Sequence, residues 1–313
     1  TSKLDELMFA IIYIQKNDFN EKTEFLSINN KTPPAEEIYD AIIIGSGPSG
    51  SITANYLKKK FKNVLLIDKG NAYHGYEKKH PGEEFLYKWQ NSGINTTLFK
   101  NQISFASGSC LGGGSEINSG LLHFPDNYFI KNWEKEFEVK DLNTKLINDD
   151  LKKLLNNNVK INLIDQEKQN LSAKVFLKAI KENKLCYEEL YKFETLKNGL
   201  LKKSTMTKTL ISDFIENKGL ILLKFNVDKI FKNKDNWIVK GLKNNKKISY
   251  KTKYLFLCAG SIYTNQLLIQ NKLTQMKKAN SFKFHPMIKV IAENDKDMQN
   301  GTENVHNIQI TEH

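Results

Sequence analysis

The chain has 313 residues, 47 lysines and arginines against 35 aspartates and glutamates, a formal net charge of +12, and 40% hydrophobic residues. That composition suits a soluble globular protein with one large core or two smaller ones, and no stretch reaches the roughly 18 apolar residues of a membrane span. Lysine is spread along the whole chain rather than gathered into a basic stripe, which argues against a nucleic-acid partner, and runs such as Lys58-Lys59-Lys60 read as solvated faces.

The three cysteines, Cys110, Cys186 and Cys258, form neither a disulfide framework nor a metal motif. They point to a reducing compartment, and a cytoplasmic location is the expectation. No metal ligands are assigned.

In chain order, residues 1–36 read as an N-terminal helical extension, with a short apolar packing helix over 4–14 and a turn at Thr32-Pro33-Pro34. Residues 39–44 form an apolar run suited to a parallel strand buried on both faces. The sequence Gly45-Ser46-Gly47-Pro48-Ser49-Gly50 follows. Gly45 lets the chain turn, Gly47 lets backbone approach a phosphate, and Gly50 lets the next helix pack on the strand. Residues 51–62 place Ile52, Ala54, Leu57 and Phe61 on one helical face. A second strand over 63–67 ends at Asp68, with Lys69 beside it. A carboxylate there can accept hydrogen bonds from ribose hydroxyls, and a helix N-terminus behind the glycines favours a pyrophosphate. This order of elements predicts a bound dinucleotide.

A second glycine-rich stretch, Ser107 to Asn118, is bracketed by Ile103, Phe105, Ile117, Leu121 and Leu122, which argues for a buried loop rather than a mobile one. Residues 123–195 change character and read as helical material leaving the first sheet. The spacing over 203–218 predicts a helix, with Gly219 where a C-cap glycine would stand. A strand over 220–223 comes next. Three short strands over 227–231, 236–241 and 247–250 follow, then a strand from Tyr254 toward Gly260, and a helix from Ile262.

The segment Gly108-Ser109-Cys110-Leu111-Gly112-Gly113-Gly114-Ser115-Glu116-Ile117-Asn118-Ser119-Gly120 resembles the first signature of the glucose–methanol–choline (GMC) flavoprotein oxidoreductases. The resemblance extends from about Tyr39 to His285. It implies that Gly108, Gly112, Gly113, Asn118, Ser119 and Leu121 contact a flavin, that Val227 meets the adenine, and that Ala259 and Gly260 meet the cofactor where a returning strand re-enters the sheet. The Phe284-His285-Pro286 segment matches a recurrent His-Pro pair of structural role. The implied cofactor is FAD. Because Ile117 stands where some members carry a flavin-linking histidine, noncovalent binding is expected.

The fold class that follows is α/β: a Rossmann-like FAD-binding domain with a β-meander insertion, plus part of an α+β substrate domain. The FAD domain would take residues 37–122 and 196–290, and the substrate domain 123–195 and the start of a further part over 291–313. The implied activity is oxidation of a CH–OH group in an alcohol, sterol or sugar, with hydride passing to flavin N5. Gly112-Gly113-Gly114-Ser115 and Lys203-Ser204-Thr205 lean toward sterol and long-chain alcohol branches.

No catalytic residue is assigned. The family's base is a histidine expected beyond His313, and Thr1 in place of methionine suggests a cut N-terminus, so the chain reads as part of a longer enzyme. His74 and His80 fall in a polar segment, and His306 and His313 in a stretch too short to place. His123 follows Asn118 and is read as a partly buried histidine. Two alternatives remain open: a flavin-binding protein without catalysis, and an NAD-binding module without flavin. The electron acceptor and the oligomeric state are not encoded in these motifs.

Overall fold

The computed structural model describes residues 32–72, 81–97, 102–125, 127–138, 143–158, 161–162, 171–197, 200–274, 295 and 308–311. The expected helix over 4–14, and His74, His80, His285-Pro286, His306 and His313, lie outside the described residues. The chain divides into two compact units, Thr1–Ile117 with Met206–Phe282 and Asn118–Thr205 with Lys283–His313. These divisions fall a few residues from the 122/123 boundary expected from sequence and about ten from the one at 195/196.

The first unit is built on a sheet. Its elements are β1 (Ile38–Ile44), α1 (Pro48–Lys58), β2 (Val64–Ile67), α2 (Pro81–Tyr87), α3 (Gly114–Ile117), α4 (Leu210–Glu216), β3 (Leu220–Leu222), β4 (Asn226–Asn233), β5 (Asn236–Lys243), β6 (Lys246–Leu257) and α5 (Gly260–Gln270). The strand order is β3-β2-β1-β6-β5-β4. The four strands β3, β2, β1 and β6 are parallel, and β6, β5 and β4 form an antiparallel meander. Continuous apolar runs supply β1 and β2, whose residues are almost all buried, as a parallel sheet covered on both faces requires. Tyr39, Ile42, Leu65, Leu222, Phe225, Val239 and Tyr250 meet in the core. Tyr39 and Tyr250 pack edge to face with centroids 6.0 Å apart, and their hydroxyls donate to the carbonyls of Pro34 and Pro33, which ties the turn before β1 to the sheet.

Three elements differ from the sequence expectation. The separate strands expected over 247–250 and from Tyr254 are one 12-residue strand, β6. Its first part pairs antiparallel with β5, from Lys246 to Thr252, and its second pairs parallel with β1, from Lys251 to Leu257. The meander therefore runs directly into the returning strand. The helix α1 begins at Pro48 and ends at Lys58, because proline is favoured at a first helical position and its missing amide costs nothing there.

The helix expected over 203–218 is confined to Leu210–Glu216. Met206 and Thr207 are held instead by hydrogen bonds to Ser115, Glu116 and Leu111, and Ser204, Thr205, Thr207 and Thr209 are all buried. At its far end Lys218, not Gly219, takes the left-handed backbone (φ 61°). The Lys218 amide donates to the Ile215 carbonyl and the Gly219 amide to that of Phe214, a paired C-terminal closure. Gly219 is needed there because a Cβ would run into the Phe214 ring.

The second unit, described by itself, is α+β. Helices Asn127–Phe137, Thr144–Asn158 and Leu171–Glu182 accompany a small antiparallel sheet centred on Tyr191–Lys197. That strand pairs with Leu121–Leu122, Ile161–Asn162 and Leu200–Lys203. Ile308–Ile310 pairs with Tyr187–Glu189, and Ile308 packs with Leu177 and Ile180. Residues 123–195 are thus not only helical: Tyr191-Lys192-Phe193-Glu194 alternates apolar and polar and β-branched Thr195 follows, which is a strand pattern. Among the described residues no helix is long and apolar enough to cross a membrane.

Candidate cofactor site

The register of the parallel strands places three loops at one edge of the sheet. Ile44, the last residue of β1, pairs with Ile67 of β2 on one side and with Leu257 of β6 on the other. The loops that follow, Gly45–Gly50, Asp68–Gly70 and Cys258–Gly260, therefore leave from adjacent carboxyl ends, the place where open α/β sheets bind ligands. The Gly45 amide donates to the Ile67 carbonyl at 2.8 Å and the Cys258 amide to the Ile44 carbonyl at 2.7 Å, so the loops start in fixed positions.

Glycine serves two different ends in the first loop. Gly45 adopts φ +100°, and a Cβ there or at Gly50 would strike backbone of Cys258 or of Gly45 itself. Gly47 is different, since a Cβ would meet nothing within 4 Å. It is the N-cap of α1, and no side chain caps that terminus. An α-helix leaves its first amides without intrahelical partners and carries a positive dipole end there. Open space beside an uncapped helix start is what a diphosphate requires, so these residues fit the pyrophosphate of a dinucleotide. Pro48 and Ser49 form the first turn, and Ser51 is buried, its hydroxyl donating to the Ser46 carbonyl at 2.7 Å.

Asp68 is 9% exposed and turned toward the first loop. Its Oδ2 accepts from the Ser46 amide at 2.8 Å and from the Ser46 hydroxyl at 2.6 Å, and its Oδ1 accepts from the Gly70 amide at 2.7 Å. Burial pushes its pKa up, and the donors of Ser46 and Gly70 oppose that rise. Lys69 extends over the Tyr263 ring with Nζ 3.6 Å from the centroid. Desolvation lowers the pKa of its amine, and the Asp68 carboxylate works the other way.

The second glycine loop lies against the first. Gly112 and Gly113 take positive φ, +87° and +54°, and a Cβ on Gly113 would stand 2.9 Å from Gly47 Cα. A Cβ on Gly108 would meet the backbone of Gly113 at 2.6 Å. The Gly112 amide donates to Ser46 Oγ at 3.0 Å, joining the two loops directly. Neighbouring backbone anchors the rest: Ser109 donates to the Lys88 carbonyl and Leu111 to that of Asn71. Cys110 is 2% exposed, and burial pushes its thiol pKa well up.

Several residues that hold this loop carry no motif. The Thr207 hydroxyl lies 2.6 Å from Glu116 Oε1 and 3.1 Å from the Leu111 carbonyl, and the Met206 amide donates to Ser115 Oγ at 3.0 Å. Ser115 Oγ donates in turn to the Gly112 carbonyl at 2.8 Å. The close run of hydroxyl residues at 204, 205, 207 and 209 was the available signal, and a helical spacing concealed it.

Val227 is the second residue of β4, half-buried against the sheet core, and Ala259 is the N-cap of α5. Gly260 is exposed with φ +82°, and a Cβ there would meet nothing. All of the expected contact residues thus belong to the first unit except Asn118, Ser119 and Leu121, which open the second. Asn118 Oδ1 accepts from the Gly120 amide at 3.1 Å, and its carbonyl accepts from Lys203 Nζ. Ser119 is exposed and Leu121 half-buried. His123, expected to be partly buried, is exposed and also belongs to the second unit.

A family model for GMC oxidoreductases matches residues 39–287. Among curated proteins, an uncharacterized GMC-type oxidoreductase, y4nJ of Sinorhizobium fredii, is 29% identical over 103 residues, covering 33% of this chain and 20% of its own length. The long-chain-alcohol oxidase FAO4B of Arabidopsis thaliana is 30% identical over 105 residues, 32% of this chain and 14% of that one. The sinalpyl alcohol oxidase Nec3 of Nesocodon mauritianus is 27% identical over 149 residues, 42% and 25% of the respective chains. The crystal structure of pyridoxine 4-oxidase from Mesorbium loti superposes with a TM-score of 0.55 at 16% identity, over 74% of this chain and 52% of that one, and so shares the fold. Each alignment spans a minor part, or about half, of the relative. With the parallel sheet, the two glycine loops and the meander in place, and the family model covering most of the chain, the chain belongs to the GMC oxidoreductase family.

Proposed function

We propose that this chain holds FAD noncovalently and serves a flavin-dependent oxidation of a CH–OH group, the substrate being an alcohol, sterol or sugar. The observation that carries this reading is the open space at Gly47 in front of the uncapped start of α1, at the edge where β1, β2 and β6 end. FAD is the cofactor of GMC oxidoreductases generally, and two of the matched relatives are alcohol oxidases by name.

In this reading the α1 terminus takes the pyrophosphate, with the Ser49 and Gly50 amides as donors and the helix dipole favouring negative charge. The residues of β4, with Val227 near its start, take the adenine side. Gly108, Gly112 and Gly113 present backbone at close range, and Gly260 keeps the α5 terminus open in the same manner. Asn118, Ser119 and Leu121 are assigned to the flavin side. When bound, the flavin supplies the chemistry of hydride acceptance from the substrate carbon. Ile117, an apolar side chain ahead of Asn118, offers no nucleophile for a covalent link, which favours a dissociable cofactor.

The test is to purify the full chain, record its visible spectrum and precipitate it with acid. Flavin absorbance that moves to the supernatant as FAD supports the reading; flavin retained in the pellet overturns noncovalent binding. A colourless protein that cannot be loaded with FAD but binds NAD overturns the assignment as a whole. Anaerobic bleaching of the flavin by long-chain, aromatic or sterol alcohols then reports the substrate class.

A further inference from the structure

Asp68 stands where dinucleotide folds offer a carboxylate to ribose, yet its hydrogen bonds run into the protein. Ser46 gives it both an amide and a hydroxyl, and Gly70 gives an amide. The Ser46 hydroxyl has a single hydrogen, and Asp68 claims it. The lone pairs of Ser46 Oγ are thereby left to accept from the Gly112 amide at 3.0 Å. Asp68, Ser46 and the Gly112 amide form one directed chain, buried throughout, since Ser46 is 0% exposed and Asp68 9%. The chain joins the loop after β1, the loop after β2 and the second glycine loop, at the point where Gly113 abuts Gly47.

We infer that Asp68 is a positioning residue, which acts through Ser46 to hold the second glycine loop against the first and so keeps the backbone around Gly47 in the arrangement that accepts a diphosphate. This rests on the dinucleotide site proposed above and adds to it that the acid serves the phosphate region through the protein, whatever it also offers a ribose with its remaining lone pair. Asparagine cannot replace it. With its oxygen toward Ser46 its NH2 faces the Gly70 amide, and with its NH2 toward Ser46 it faces the Ser46 amide; either way two donors oppose each other. Alanine at Ser46 breaks the relay to Gly112 and leaves the Ser46 amide bond to Asp68 intact.

The experiment compares apo wild type, Asp68→Asn, Ser46→Ala, Ser46→Thr and the Asp68→Asn/Ser46→Ala double variant, each confirmed folded by circular dichroism. FAD affinity is read by flavin fluorescence. Affinities for ADP and for 2′,3′-dideoxy-ADP are read by calorimetry. Each of the first two single variants should weaken FAD by about tenfold, the loss of a hydrogen bond to a charged group. The double variant should be no weaker than the poorer single, as two links of one chain require, and Ser46→Thr should retain affinity. Asp68→Asn should weaken dideoxy-ADP as well as ADP, since the tether acts on the diphosphate.

Losses that multiply in the double variant, or an Asp68→Asn defect confined to the nucleotide that carries ribose hydroxyls, would overturn the tether and return Asp68 to the ribose. If Asp68→Asn proves too unstable, Ser46→Ala with unchanged FAD affinity overturns the tether by itself. A folded wild type that takes neither FAD nor ADP removes the dinucleotide site, and the tether as a cofactor device with it; wild-type binding with unaffected variants removes the tether alone.

Discussion

Gly113 and Gly47 are in backbone contact: a Cβ on the first would lie 2.9 Å from Cα of the second. The two glycine loops, about sixty residues apart in sequence, are thus a single packed layer, and the glycines within it are not equivalent. Gly113→Ala places a side chain on a residue with φ +54° and against fixed backbone. It should cost about 1–3 kcal/mol of stability. Gly114→Ala, next in sequence but meeting nothing within 4 Å and at the start of α3, should be within about 0.5 kcal/mol of wild type. Denaturant melts of the pair check this; equal losses would show that the layer is not closely packed.

Gly47→Leu makes the opposite separation. A Cβ there has room in the protein alone, so the apo melting transition should change by about 1 kcal/mol or less, the cost of an apolar residue at an N-cap. FAD retention should nevertheless be abolished, because the leucine occupies the space assigned to the pyrophosphate. Normal flavin occupancy in this variant would remove the phosphate-loop assignment.

Thr207 secures the segment before α4 to the second loop through Glu116 and the Leu111 carbonyl. Thr207→Val keeps the shape and removes the hydroxyl. A loss of about 1–3 kcal/mol is expected from the acceptor that loses its donor, measured in the same melts. Thr207→Ser, which keeps the hydroxyl, is the control expected to lose less than Thr207→Val.

Asp40 gives a pH signature. Its Oδ2 accepts from the Asn63 amide at 3.1 Å and its Oδ1 from Lys253 Nζ at 3.2 Å. The amide bond and, after it, the lysine hold its pKa below the ordinary 3.8 despite partial desolvation. A folded pKa below the unfolded one gives stability that is present above pH 3.8 and is lost as pH falls through the folded value. The wild-type advantage over Asp40→Asn should therefore be constant at neutral pH and fade in strong acid. An advantage that grew on acidification would contradict the geometry.

Thiol labelling distinguishes the three cysteines. Cys186 is exposed and should react with an aromatic disulfide reagent first. Cys258 is half-buried with its pKa raised by burial and should follow more slowly. Cys110, almost fully buried beside the second loop, should react only on unfolding. Rapid labelling of Cys110 in the native chain would show that the loop opens.

Much of the first unit was legible because its signals are local. The runs at 39–44 and 63–67 are apolar without alternation, as doubly covered strands are, and Gly45, Gly47 and Gly50 mark the turn between β1 and α1. The single strand β6 was not legible in the same way. Residues 247–250 and 254–257 are separated by Lys251, Thr252 and Lys253, which look like a break. They continue the strand because β5 lies on one side and β1 on the other, so the pairing of each half supplies what the local pattern lacks. The segment 204–209 misled for a related reason: its spacing is helical, yet the Met206 amide and the Thr207 hydroxyl find partners at Ser115, Glu116 and Leu111, remote in sequence.

The sequence by itself determined that a βαβ unit with a phosphate-type glycine turn is present, because turn chemistry and strand periodicity depend on neighbouring residues only. It also carried the family, through the second glycine stretch. Only the tertiary structure decided what each polar group in that stretch does. Asp68 spends its acceptors on Ser46 and Gly70, Ser46 passes the direction of its hydroxyl on to Gly112, and of the glycines in the first loop Gly47 keeps open space while Gly45 and Gly50 meet backbone. A hydrogen bond is set by which donor and acceptor the fold brings within about 3 Å, and no spacing along the chain encodes that distance.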